Sequence, residues 1–152
     1  MIIIQPESKQ DFDRYYDLRW KLLREPLKQP KGSERDELEE RALHIMACRW
    51  DRVPVAVGRA HFNTDIEAQI GYVAVEPRFQ ETGLESAVLK NLEDEVRHLG
   101  AKYVVLQSRD TAVSFYEKQG YKIVSQSHTL FESVPHFLMR KEFYPEKKLQ
   151  FN

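Results

Sequence analysis

The 152-residue chain predicts an α+β domain with a mixed, mostly antiparallel central sheet of about seven strands and helices on both faces. Two observations carry this. The first half holds strand-like runs joined by short turns, which calls for antiparallel hairpins. The second half alternates strand, helix, strand, helix, strand, and parallel neighbours need such long crossovers.

MIII, stopped at Pro6, reads as the first strand. Ser8 and Asp11 then form a capping box, with each group answering the other's backbone N–H. The helix DFDRYYDLRWKLLRE carries Phe12, Tyr16, Trp20 and Leu23 at helical spacing and stops before Pro26. PLKQPKGS is a loop, and ERDELEE is a short acidic helix with a solvated face. HIMACRW and VAVGRAHF are strands joined by the turn DRVP, and EAQIGYVAV is a further strand ended by Glu76-Pro77. Leu84, Val88, Leu92, Val96 and Leu99 make one apolar stripe on a helix that Gly100 ends. KYVVLQ is short and nearly all apolar, hence a central strand. TAVSFYEKQ is helical up to Gly120. YKIVSQ and PHFLMRKEF close the sheet, and residues 144–152 form a polar tail.

Composition excludes several classes. The formal net charge is −1, and there is no basic stripe, so neither nucleic acid nor an acidic membrane surface is an expected partner. No run is long enough to span a bilayer, and MIIIQPE is too short for a signal peptide, so a cytoplasmic location is expected. One cysteine cannot form an internal disulfide. Cys48 lies in the apolar run HIMAC and reads as a buried, inert thiol. Residues 1–152 are expected to form a single domain.

The stretch RFQETGLESAVL, from Arg78 to Leu89, sits between a strand and a helix with Gly83 at the turn. Backbone N–H groups at such a helix N-terminus suit a phosphate. The same residues spell a second capping box, with Thr82 as N-cap and Glu85 three residues on. Glu85 then serves the helix but opposes a phosphate. Two unit charges ~4 Å apart repel by roughly 4 kcal/mol at an effective dielectric near 20.

This order of elements, with Gln80-Glu81-Thr82-Gly83-Leu84-Glu85 and the run from Ala112 through Phe115-Tyr116 to Gly120-Tyr121, resembles the GNAT acetyltransferase superfamily. The first motif departs from the family at Glu85, where Gly or Ala is usual. The segments LRWKLLREPLKQPKGSERD and VPHFLMRK are similar to a bacterial branch that can occur fused to a hotdog thioesterase; no such second domain is expected here.

The resemblance implies a GNAT fold with two parallel strands splayed apart in the middle of the sheet. It implies acetyl-CoA as co-substrate, no metal, and a primary amine of a small molecule or protein as acceptor. It also allows a homodimer. Pantetheine would pair with Val73, Ala74 and Val75 as an added strand. The pyrophosphate would lie on Gln80, Glu81, Thr82, Gly83, Leu84, Glu85 and Ser86, with Arg109, Ala112 and Tyr116 completing the cofactor site. The acetyl group would pass directly to the amine in a ternary complex, with Tyr116 protonating the CoA thiolate. Phe115 beside it is the more natural core residue.

Some relatives carry a basic Glu four residues before the first pantetheine-pairing position. That position is Gln69 here. Glu67, on the same strand face, is the candidate base, with His61 and His136 as others. The acceptor groove would be lined by REPLKQPKGSERDELEE, whose acidic residues Glu34, Asp36, Glu37, Glu39 and Glu40 could attract a cation, and by SQSHTLFESVP. The alternative to an enzyme is a degenerate GNAT-fold module that binds CoA or a partner without catalysis.

Overall fold

A computed structural model describes residues 1–130 and 134–144. The expected tail beyond Tyr144, and the middle of the segment SQSHTLFESVP, lie outside them. The strands are β1 (Ile2–Ile4), β2 (Leu43–Cys48), β3 (Pro54–Phe62), β4 (Glu67–Val75), β5 (Tyr103–Arg109), β6 (Lys122–Leu130) and β7 (Val134–Glu142). They form one sheet in the order β1-β2-β3-β4-β5-β7-β6. Every neighbour pair is antiparallel except β4 and β5. The helices are α1 (Lys9–Leu23), α2 (Leu84–His98) and α3 (Val113–Lys118).

The sequence of β3, PVAVGRAHF, is buried along all but its last residue because helices cover both of its faces. Its outward and inward sets separate cleanly. Ala56 and Ala60 join Val88, Leu92 and Val96 of α2 in the larger apolar cluster, while Val57 joins Tyr15 and Leu18 of α1 in the smaller one. Gly58 marks the closest approach: a Cβ there would lie 2.7 Å from Leu92 Cδ1.

The Ser8–Asp11 box caps α1 as expected, with Ser8 Oγ accepting from Asp11 N at 3.0 Å. The buried face of α1 differs from the expected stripe. It presents Asp11, Tyr15, Leu18 and Arg19, and Phe12, Tyr16 and Leu23 pack half-buried beside it. The cause is a polar network under the helix that draws Arg19 inward.

The 31–42 segment is not a solvated acidic helix. Only Glu39–Arg41 makes a 3-10 turn, and Glu34 and Glu39 are buried. On α2 the stripe holds except at its end, where Leu99 is 62% exposed and caps the helix instead of packing.

Candidate active site

The parallel pairing of β4 with β5 runs only from Glu67–Tyr103 to Ile70–Leu106. Both strands continue, β4 to Val75 and β5 to Arg109, without touching as a ladder. A bulge sets the divergence. The β3–β4 register slips between Val57 and Arg59, and Tyr72 takes a left-handed φ of 53°. An extra residue on one strand bends it and turns it away from its neighbour. The wedge so opened is a cleft of about 650 Å³.

The cleft gathers many of the expected site residues. Val73, Ala74 and Val75 form part of one wall, Gln80 and Glu85 stand at its α2 end, and Arg109, Ala112 and Tyr116 line the other side. Glu81 to Leu84 form the turn into α2. There the Thr82 capping box does not exist. Glu81 and Gly83 both adopt positive φ, which makes Gly83 the N-cap, and no side chain caps the helix. Thr82 Oγ1 donates back to Phe79 O instead. Ser86 does not line the cleft; its Oγ accepts from Gln119 Nε2 at 3.1 Å, which ties α2 to the end of α3.

Glu85 turns into the cleft and is half-buried, and burial raises its carboxyl above the usual range. Tyr116 is 8% exposed and belongs to the apolar core, whereas Phe115 is only partly buried, the reverse of the expected division. The Tyr116 ring packs edge-on against Tyr121 at 5.7 Å. Burial first, and then the neighbouring Glu85 charge, push its phenol well above the ordinary tyrosine range. It therefore stays protonated, as a proton donor must.

Glu67 is not on the cleft wall. It sits at the start of β4, where Oε2 accepts from Asn63 Nδ2 at 2.8 Å. His61 and His136 both line the cleft. Two further residues carried no sequence signal. Gln107 lines the cleft with a buried, unpartnered Oε1. Tyr72, beside the bulge, has the guanidinium groups of Arg19, Arg24 and Arg59 at 4.4, 5.4 and 4.5 Å from its ring centre.

Those arginines explain the acidic segment. Arg19 is fully buried and donates to Glu39 Oε1 at 2.9 Å, Glu34 O at 3.1 Å and Tyr15 Oη at 2.7 Å. Arg59 donates to Glu39 Oε2 at 2.7 Å and to both oxygens of Asp36, at 2.6 and 3.0 Å. Burial pushes Asp36 up, but the Arg59 bonds outweigh it and hold the carboxyl at about 2. Asp36 and Glu39 are thus structural counter-ions that fix one side of the cleft, because a buried guanidinium is tolerated only when paired, while Glu37 and Glu40 remain exposed. Burial also pushes the Cys48 thiol up, in keeping with an inert residue.

A split parallel pair, a bulged strand and a bare helix N-terminus beside it make a cleft suited to a long ligand ending in a phosphate. Residues 21–143 match the family model for the acetyltransferase (GNAT) domain. The chain belongs to the GNAT acetyltransferase family. An uncharacterized N-acetyltransferase of Bacillus subtilis (strain 168), YjcF, is 30% identical over 113 residues, covering 74% of this chain and 79% of that protein.

The fold is similar to that of an aminoglycoside 6'-N-acetyltransferase complexed with coenzyme A, with a TM-score of 0.79 and 20% identity over 97% of this chain and 100% of that one. It is also similar to a GNAT acetyltransferase from Elizabethkingia anophelis with acetyl-CoA bound, with a TM-score of 0.74 and 14% identity over 93% of this chain and 97% of that one. The seven-stranded sheet with its one parallel pair is the GNAT fold, and this chain is an acetyltransferase.

Proposed function

We propose that the protein moves an acetyl group from acetyl-CoA directly to a primary amine held in the same cleft, with Tyr116 as the acid that protonates the departing thiolate. The observation that carries this is the shared cleft: the open wall Val73–Val75 and the buried, neutral phenol of Tyr116 face one space. Pantetheine amides pair with the free edge of β4, and the pyrophosphate takes the N–H groups of the turn from Glu81 to Ser86. The amine nitrogen bonds to the thioester carbon, the C–S bond breaks, and the sulfur takes the Tyr116 proton while the amine loses one. The products are an amide and free CoA.

The acceptor end of the cleft is not an acidic trap for polycations. Asp36 and Glu39 are engaged by Arg59 and Arg19. Arg109 faces the cleft with no carboxylate partner among the described residues, so it is a cation available to an anionic group of the cofactor or of the acceptor. Amino-acid and peptide amines therefore head the acceptor screen, with polyamines and aminoglycosides as comparison.

Thiol release from acetyl-CoA reads that screen. With the acceptor it finds, Tyr116→Phe is expected to lower kcat by about a hundredfold or more while acetyl-CoA affinity changes little, because the phenol acts only as the thiolate forms. Parent-like turnover by the Phe variant would show that Tyr116 only packs.

A further inference from the structure

We propose that His61 is the general base of this site, accepting the acceptor amine's proton on Nδ1, and that Asn63 and Glu67 hold it in the tautomer that can do so. The inference rests on the acetyltransferase reading above. His61 lies on β3 directly across from Gln69, two residues past Arg59, where the bulge that opens the cleft ends. Cross-strand neighbours stand ~5 Å apart at Cβ. His61 therefore reaches the space beside Gln69 that the missing carboxylate would have served, and it lines the cleft.

The tautomer follows from hydrogen-bond logic. Asn63 Nδ2 donates to Glu67 Oε2 at 2.8 Å and to Gln69 Oε1 at 3.0 Å. The Glu67 carboxylate can only accept, so the Asn63 amide cannot be turned round without facing oxygen to oxygen. Asn63 Oδ1 therefore faces His61 Nε2, at 3.0 Å, and that nitrogen must carry the hydrogen. Nδ1 is then the basic nitrogen. It has no partner among the described residues and is not among the fully buried, unpartnered atoms, so solvent reaches it, on a residue that lines the cleft.

The surroundings keep the ring neutral. Burial comes first, and Arg59 beside it on β3 and Arg41 of the preceding segment push in the same direction; Asn63 and Asp36 oppose them. A neutral imidazole with its far N–H fixed is an active base. The balance is simple. The ammonium form of the acceptor gives one proton to Nδ1, directly or through one water. The free amine attacks, the C–S bond breaks as Tyr116 protonates the sulfur, the second proton leaves the nitrogen as the amide forms and restores the Tyr116 phenol, and His61 returns its proton to solvent. Glu67, once the candidate base, acts here as a positioning residue through Asn63.

Histidine-15N-labelled whole protein tests this without any acceptor. Long-range proton–nitrogen spectra at pH 7 are expected to show His61, assigned by its loss in His61→Gln, neutral with the hydrogen on Nε2. Asn63→Ala should mix the tautomers and lower the titration midpoint further, since the Asn63 contact is one that holds it up. A hydrogen on Nδ1, or a charged ring at pH 7, overturns the proposal.

The second arm measures thiol release with glycine amide as probe amine. His61→Gln should lose tenfold or more in kcat and lose the acid limb of the pH profile, while calorimetry shows acetyl-CoA binding within twofold of the parent. Parent-like turnover and an unchanged profile also overturn it. Failure of the parent to bind acetyl-CoA would instead refute the proposed function, and the spectra would still decide the tautomer.

Discussion

Two helices of fifteen residues each flank the sheet, and their N-termini are built in opposite ways. Each leaves about four backbone N–H groups without a helical partner. At α1 these needs are met internally. Ser8 and Asp11 answer each other's N–H groups, Glu7 N also donates to Asp11, and Arg52 closes the carboxylate off from the other side at 2.6 and 3.0 Å. At α2 the cap is a glycine, and no side chain answers. The first end ties the helix to the β2–β3 hairpin. The second is bare where the cleft opens, and its unmet N–H groups are free for a ligand. One end contributes stability, and the other forgoes it, which suits the binding role proposed for it.

The largest effect is expected at the satisfied end. Asp11 is nearly fully buried, and replacing it with Ala removes half of the capping box together with the bond from the half-exposed Arg52, at a cost of about 2 kcal/mol. Urea unfolding should register this, while calorimetry should find acetyl-CoA affinity within twofold of the parent. A comparable loss of affinity would mean that the two ends are not independent. The pH dependence has a definite sign. The Arg52 bond holds the Asp11 carboxyl well below the usual range, so its stabilisation is present above the unfolded-state pKa and is lost as pH falls below about 4. Asp11→Asn should flatten that acid limb.

A middle-sized effect belongs to Gly83. Its φ is 87°, and a Cβ there would meet nothing within 4 Å. The strain in Gly83→Ala is therefore one of backbone conformation alone, about 1–2 kcal/mol. Stability should fall by that amount or less, as the turn relaxes. Acetyl-CoA affinity should fall several-fold, because the relaxation re-aims the N–H groups. Unchanged affinity would place the phosphates elsewhere.

The same contrast explains what could be read from the chain. The α1 cap was legible because its chemistry is confined to residues 8–11. The Thr82–Glu85 pattern has the same spelling but fails, because a local string does not say that Glu81 will turn left-handed first. The mixed sheet and its split parallel pair were legible from the alternation of elements and the family resemblance, but the insertion of β7 between β5 and β6 was not. Pairing at long range was not. Arg19 meets Glu39 across twenty residues and Arg59 meets Asp36 across twenty-three, so two acids of a run that looked solvated are counter-ions. Glu67 was placed on the correct strand face. Its bond from Asn63 depends on the turn after β3 and could not be read from spacing.

The smallest effect, and the most informative about the bare end, is at Glu85. A capping role would make its removal destabilising, but no cap exists. Its carboxyl is half-buried and its pKa is raised by that burial, so the folded state favours the protonated form. A raised acid holds its proton longer when folded, and stability then falls as pH rises through that range. Glu85→Gln keeps the shape and helix propensity and removes the charge. The Gln variant should thus unfold at a slightly higher temperature than the parent at pH 7–8, with the gain fading as pH drops into the carboxylate range. It should also bind acetyl-CoA more tightly, by about fivefold, or ~1 kcal/mol, and the gain should shrink at high salt if it is electrostatic. Melting curves at several pH values and calorimetric titrations at two salt concentrations measure both. A less stable Gln variant would show that the carboxylate has a bonding partner the fold needs. Unchanged affinity would mean that the Glu85 charge lies too far along the cleft to meet the phosphates, and that the bare end of α2 tolerates it for that reason.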